Sequence, residues 1–211
     1  MTGDTATDSR VGGTLWVVID PLRAFTDLDG TLARAYGEGE LAHIRATVDT
    51  LAAHVAHQSP DDAWVWVRSG YQPGQYSDET AGHSLAELCT GENPIDLAWD
   101  PSLLPRKGAA VVTKSVTDAT TVPAFRELVA DAVSREIGKI VVSGFLLTSC
   151  VRDTAISVAD LVAGSRTRVF VRSDLSAARV SNSVPDEQGV SSVDRALHEV
   201  ERAGVEVVAS C

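Results

Sequence analysis

Leu15 to Ile19 reads Leu-Trp-Val-Val-Ile, an apolar run without alternation, closed by Asp20-Pro21. Such a run suits a parallel strand buried on both faces. Ala63–Arg68, Ala109–Thr113, Lys139–Ser143, Arg168–Val171 and Val205–Ala209 share this character and predict five further strands. Between them the period becomes helical. Leu41, Ile44, Val48, Leu51 and Val55 recur at spacings of three and four. Val122, Phe125, Val129 and Ala132 mark a second helix, with Thr121 as its N-cap and Pro123 in its first turn. Val151, Ala155, Val158 and Val162 mark a third, from Cys150 to Ala163, ending at Gly164. Val193, Leu197 and Val200 mark a fourth, capped by Ser192 and stopped by Gly204. Strand and helix alternate without an internal repeat. The pattern predicts a Rossmann-like, three-layer α/β/α fold around a mostly parallel six-stranded sheet. Residues 69–108 break the rhythm: they are rich in Gly, Pro and polar residues, so only short structure is expected there. A connection of that length usually carries function or an oligomer contact.

Composition narrows the classes. With 211 residues, 44% of them hydrophobic, the chain suits a single domain over residues 14–211. Residues 1–13 are polar and lack the apolar core of a secretory signal, and are expected to be a disordered segment. The absence of a long apolar span points to a soluble, cytoplasmic protein with no membrane partner. A net charge of −11 argues against nucleic acid and suits a neutral or cationic ligand. The cysteines, Cys89, Cys150 and Cys211, show no C-x-x-C spacing, which argues against a disulfide framework or structural zinc. Cys89 and Cys211 read as bystanders. No G-x-G-x-x-G follows the first strand and no Walker loop occurs, so nucleotide cofactors lack their phosphate cradles.

In open α/β sheets, ligands bind at the carboxyl ends of the strands. Asp20, Lys114 and Cys150 each follow a predicted strand, so an acid, an ammonium and a thiol can meet on one rim. Taken singly, Asp20-Pro21 reads as turn chemistry, Lys114 as a solvated strand end and Cys150 as a small buried hydrophobe. Taken together they favour catalysis. A thiol attacks an amide carbonyl as thiolate, a nearby cation stabilises that form, and a carboxylate can take and return the proton. At a helix start, the first-turn N–H groups and the dipole would favour the thiolate and could hold an oxyanion. His43, His54, His57, His83 and His198 fall mostly in helical patterns, which weakens a Cys–His reading.

At these residues the chain resembles the isochorismatase-like cysteine hydrolases, the superfamily of nicotinamidase and N-carbamoylsarcosine amidase. The first motif, D-x-Q-x-x-F after an apolar strand, corresponds to Asp20-Pro21-Leu22-Arg23-Ala24-Phe25. The lysine is Lys114, and G-x-x-x-x-x-C-V is Gly144 to Cys150-Val151. The resemblance implies Cys150 as nucleophile, Asp20 as general base and acid, and Lys114 as the activating cation. It also implies a cis peptide at Phe145-Leu146, an oxyanion hole from the Leu146 and Cys150 amides, and a substrate pocket drawing on Phe25, Tyr71 and Tyr76. The expected reaction is hydrolysis of a carbon–nitrogen bond in a small amide, carbamoyl compound or lactam, through a thioester and without a cofactor. Tyr71, Tyr76 and Trp99 with the acidic bias allow a cationic amide, and streptothricin hydrolase is one family candidate. A homo-oligomer, dimer or tetramer, is expected.

The rivals are an isochorismatase acting on a vinyl ether, whose relatives generally lack the cysteine, and a catalytically silent binding or assembly protein. A thiol redox protein is disfavoured because no resolving cysteine lies near Cys150 in sequence. Leu22 stands where the family usually has glutamine. The metal-binding nicotinamidases carry an aspartate and histidines after the second strand, whereas Arg68-Ser69-Gly70-Tyr71-Gln72-Pro73 has none, so no metal is expected. Amide turnover should therefore survive exhaustive chelation; activity lost to EDTA and restored by one added metal would overturn this.

Overall fold

The computed structural model describes residues 13–57, 59, 61–76 and 85–209. Six parallel strands, β1 (Thr14–Ile19), β2 (Ala63–Ser69), β3 (Ala110–Lys114), β4 (Lys139–Phe145), β5 (Arg168–Ala177) and β6 (Glu206–Val208), form one sheet in the order β3-β2-β1-β4-β5-β6. Helices α1 (Arg23–Thr26), α2 (Thr31–Tyr36) and α3 (Ala42–Ala56) cover one face. Helices α4 (Pro123–Ser134), α5 (Arg152–Leu161) and α6 (Ser192–Arg202) cover the other. The unalternating strand sequences follow from this double cover. Along β1, Val17 and Ile19 pack with Phe125, Val158 and Val200, while Trp16 and Val18 pack with Phe25, Ile44 and Leu51.

Chain order runs outward from β1 in one direction and from β4 in the other. The switch point lies between these two strands, where neighbouring connections leave on opposite faces. Gly144 makes the close β1–β4 approach possible. It lies at φ +112, and a Cβ there would sit 2.1 Å from the Ile19 carbonyl oxygen.

Several boundaries differ from expectation for local reasons. Thr121 does not cap α4: it ends a short 3-10 turn, Ala119–Thr121, capped by the Asp118 side chain, and Val122 occupies the N-cap before Pro123. Ser191, not Ser192, caps α6, because Asp194 is three residues on and returns its carboxylate to the Ser191 amide in a capping box. The helix expected from Cys150 begins instead as a π turn, Leu147–Val151, and becomes α-helical at Arg152. Strand β5 continues well past Val171. Between Val171 and Ser176 its register against β4 shifts, and Arg172 there forks onto both oxygens of Asp174 at 2.7 Å. Residues 1–12 and Cys211 lie outside the described residues. Among the described residues, no helix is long and apolar enough to cross a membrane.

The 69–108 connection is tied back at several points. The Tyr71 amide donates to the Cys89 carbonyl at 3.0 Å, and Gly74 to Ala86 at 2.9 Å. Arg23 donates to Ala98 at 2.9 Å, Asp100 donates to Pro21 at 2.9 Å, and Leu22 bridges Trp99. Leu22 is fully buried in the α1–α3 core, which accommodates its apolar side chain. Gly144→Ala combines a disfavoured φ with a backbone collision. We expect it to cost at least about 3 kcal/mol or to abolish folding, as read by denaturant unfolding.

Candidate active site

Three strand ends bring the sequence-nominated side chains together. Asp20 ends β1 at φ 49, unusual for a residue with a Cβ. Its amide donates to the Val67 carbonyl at 2.8 Å, and its own carbonyl accepts from Leu22 at 2.7 Å. Lys114 is the last residue of β3 and lies level with Ser69 at the end of β2. Cys150 lies in the π turn after β4, where the Ser149 and Val151 amides both donate to the Leu146 carbonyl. The Phe145–Leu146 peptide before it is cis.

Asp20, Lys114 and Cys150 are 0%, 1% and 3% exposed. The Lys114 ammonium lies 2.8 Å from Asp20 Oδ2, 2.6 Å from Ser69 Oγ, 3.1 Å from the Tyr71 hydroxyl and 3.3 Å from Cys150 Sγ. Its hydrogen bonds go to Ser69, Tyr71 and Cys150, while Asp20 Oδ2 holds it by charge without a hydrogen bond of its own. Ser69 Oγ also lies 2.9 Å from Asp20 Oδ1 and 2.6 Å from the Tyr71 oxygen, which is 3.7 Å from Cys150 Sγ. Tyr76 packs edge-on against Tyr71, with ring centroids 4.6 Å apart.

Burial alone would strip a charge from Lys114, but the Asp20 carboxylate and Cys150 outweigh it and raise its pKa, so the ammonium persists. For Cys150, burial and then the Asp20 carboxylate push the thiol pKa up, against Lys114 and Tyr71. This corrects the expectation of a thiolate favoured by a helix start. Burial and the nearby Asp20 thus both favour the thiol over the thiolate in the resting site. Burial likewise raises Cys89.

The structure thus gathers Asp20, Lys114, Cys150 and Tyr71, with Tyr76 behind Tyr71. Phe25 shares the α1–α3 core with Leu22 and Trp66. Ser69 carries no motif of its own in the sequence, and its place at the end of a predicted strand beside that of Lys114 is the signal that points to it. Among the described residues, no group of three His, Cys, Asp or Glu side chains is placed to hold a metal. A groove of about 920 Å3 carries Asp27, Asp29, Glu38, Asp49 and Asp100, but none of the clustered catalytic candidates. The acidic surface and the buried thiol are therefore distinct features.

The family model for the isochorismatase domain matches residues 14–210. The chain belongs to the isochorismatase domain family. It is an isochorismatase-like hydrolase. Its fold is similar to that of PnC1 from L. infantum, solved with nicotinate, at 22% identity and TM-score 0.66 over 94% of this chain and 93% of that one. N-carbamoylsarcosine amidase from Thermoplasma acidophilum matches at 18% identity and TM-score 0.63, over 93% and 95% of the two chains. Pyrazinamidase/nicotinamidase from Streptococcus mutans matches at 18% and 0.59, over 92% and 99%. No curated protein matches the chain in sequence.

A raised thiol pKa in this isochorismatase-like hydrolase has a direct readout. Alkylation of Cys150 by iodoacetamide, followed by peptide mapping, should keep accelerating above the ordinary thiol pKa of about 8.5. A rate that levels off below neutral pH would show a resting thiolate and overturn the assignment.

Proposed function

We propose that this isochorismatase-like hydrolase is a cysteine amidohydrolase that cleaves a carbon–nitrogen bond in a small amide, carbamoyl compound or lactam. One observation carries the reading: a single buried ammonium touches both the carboxylate and the sulfur, at 2.8 and 3.3 Å. Moving the thiol proton to Asp20 shifts the negative charge from oxygen to sulfur while Lys114 stays in contact with both. The buried cluster is neutral before and after. At an effective dielectric near 20, unit charges at these two distances attract by about 6 and about 5 kcal/mol, so the attraction given up at oxygen is largely recovered at sulfur.

In the proposed sequence, Asp20 takes the proton and Cys150 Sγ bonds to the carbonyl carbon. The Leu146 and Cys150 amides receive the oxyanion. The carbon–nitrogen bond breaks as Asp20 returns the proton to nitrogen, leaving a thioester and releasing ammonia or an amine. Asp20 then deprotonates a water that attacks the thioester, and the thiol is restored as the acid leaves. Names among the structural neighbours, an amidase and a nicotinamidase, support the bond class. The cysteine itself disfavours ether hydrolysis.

Ammonia or amine release across a panel of amides, carbamoyl compounds and lactams tests this directly. Cys150→Ala should abolish turnover, and Asp20→Asn should lower it by about 10²–10⁴-fold with no recovery at high pH. Lys114→Ala should recover part of its loss as pH rises, and the double variant should lose far less than the product of the single losses. Mass spectrometry should find an acyl adduct on Cys150. No turnover across the panel, or near wild-type turnover in any single variant, would overturn the reading.

A further inference from the structure

Ser69 and Tyr71 have no part in the sequence of steps above, yet both are buried against it. Their hydrogens are scarce. Ser69 has one, and it faces two acceptors, Asp20 Oδ1 at 2.9 Å and the Tyr71 oxygen at 2.6 Å. Tyr71 has one, and it faces Ser69 Oγ and Cys150 Sγ, the latter at 3.7 Å. Only one hydrogen fits between the two hydroxyls, so the pair has two self-consistent directions. In one, Tyr71 donates to Ser69 and Ser69 donates to Asp20. In the other, Ser69 donates to Tyr71 and Tyr71 donates to the sulfur. Lys114 donates to Ser69 Oγ in both, and so anchors the pivot.

We propose that the Ser69–Tyr71 pair is a hydroxyl switch, which reverses direction as the Cys150 proton moves to Asp20 and so delivers a hydrogen bond to whichever atom holds the negative charge. The proposal rests on the amidohydrolase reading for its place in turnover. No proton passes through the pair: the thiol hydrogen goes to the Asp20 carboxylate, and the two hydroxyls rotate. Ser69 is a positioning residue acting through Tyr71, whose hydroxyl reaches the reacting sulfur. Burial, then the charges at Cys150 and Asp20, raise the Tyr71 pKa, so its hydroxyl keeps the hydrogen it must donate. The remaining groups that bear on the thiol are Asp20, Lys114, the Ser149 hydroxyl at 3.9 Å, Tyr76 and the buried Cys89 thiol.

The switch makes predictions of opposite sign. Tyr71→Phe removes the sulfur arm, and should raise the midpoint of the Cys150 alkylation profile by about one pH unit, roughly tenfold in rate at a fixed pH below it. Ser69→Ala removes the carboxylate arm and leaves the Tyr71 hydrogen for the sulfur, so its midpoint should fall. Turnover should drop in both, and Ser69→Thr should restore the wild-type midpoint. A midpoint unmoved by Tyr71→Phe, or shifts of the same sign in both variants, would overturn the switch. Should Tyr71→Phe fail to fold, replacement of the tyrosines by 3-fluorotyrosine supplies a more acidic donor, and the midpoint should fall; an unchanged midpoint would overturn the switch equally. Alkylation needs no substrate. Midpoints that move as stated in a protein that turns over no amide would therefore sink the hydrolytic reading while leaving the switch intact.

Discussion

The site is organised around one buried ion pair. Removing a carboxylate and an ammonium from water costs several kcal/mol per ion, and their attraction offsets this only with close geometry and satisfied hydrogen bonds. Asp20 and Lys114 meet at 2.8 Å, and Ser69 touches both. Neither charge could remain alone at that depth, so each strand end is fixed by the other's requirement. The β2–β3 register places Ser69 beside Lys114, and the backbone of Asp20 turns at positive φ to bring its carboxylate to the same place. A thiol beside such a pair can lose its proton without creating a net buried charge.

The sheet supplies the other half of the geometry. Asp20 and Cys150 come from adjacent strands on either side of the switch point, where β1 leads into α1–α3 on one face and β4 into α5 on the other. Gly144 lets the two strands approach where the cysteine turn begins. The buried cluster is therefore held by backbone pairing on β1, β2, β3 and β4. The exposed acidic groove beside α3 is a separate surface.

Much of this was legible because the central strands are covered on both faces, although edge strand β3 leaves Val111 and Thr113 exposed. An apolar run with no solvent side cannot be mistaken for a half-exposed strand, and all six runs became strands. Strand β5 outruns its apolar run because Arg172, Ser173 and Asp174 interrupt the pattern, and the Arg172–Asp174 pair and the Ser173 bond to the Val208 carbonyl appear only in three dimensions. Helices α1 and α2 are too short to show a period. Adjacent serines at 191 and 192 look alike until Asp194 selects one. Asp20, Lys114 and Cys150 could be nominated because strand ends of such sheets are where ligands bind. The protonation of Cys150 could not, since it depends on burial and on a carboxylate distant in sequence. Tyr71 could be nominated for a substrate pocket but not for its contact with the thiol, and Ser69 reads as an ordinary turn residue until its depth marks it otherwise.

The connection after β2 is pinched at its base. Tyr71 and Cys89 are joined across 3.0 Å, and residues 98–100 are stitched to residues 21–23. A second seam inside this connection joins Gly74 to Ala86, so it is closed twice. Loop closure costs rise only slowly with length, by about 0.6 kcal/mol per doubling. A change of length between Gly74 and Ala86 therefore costs little in closure, while Tyr76 stays packed on Tyr71 and Gln75 stays bonded to the Ser115 carbonyl. Diversification of this hydrolase has a region in which to proceed, and that region is bounded by two backbone hydrogen-bonded seams.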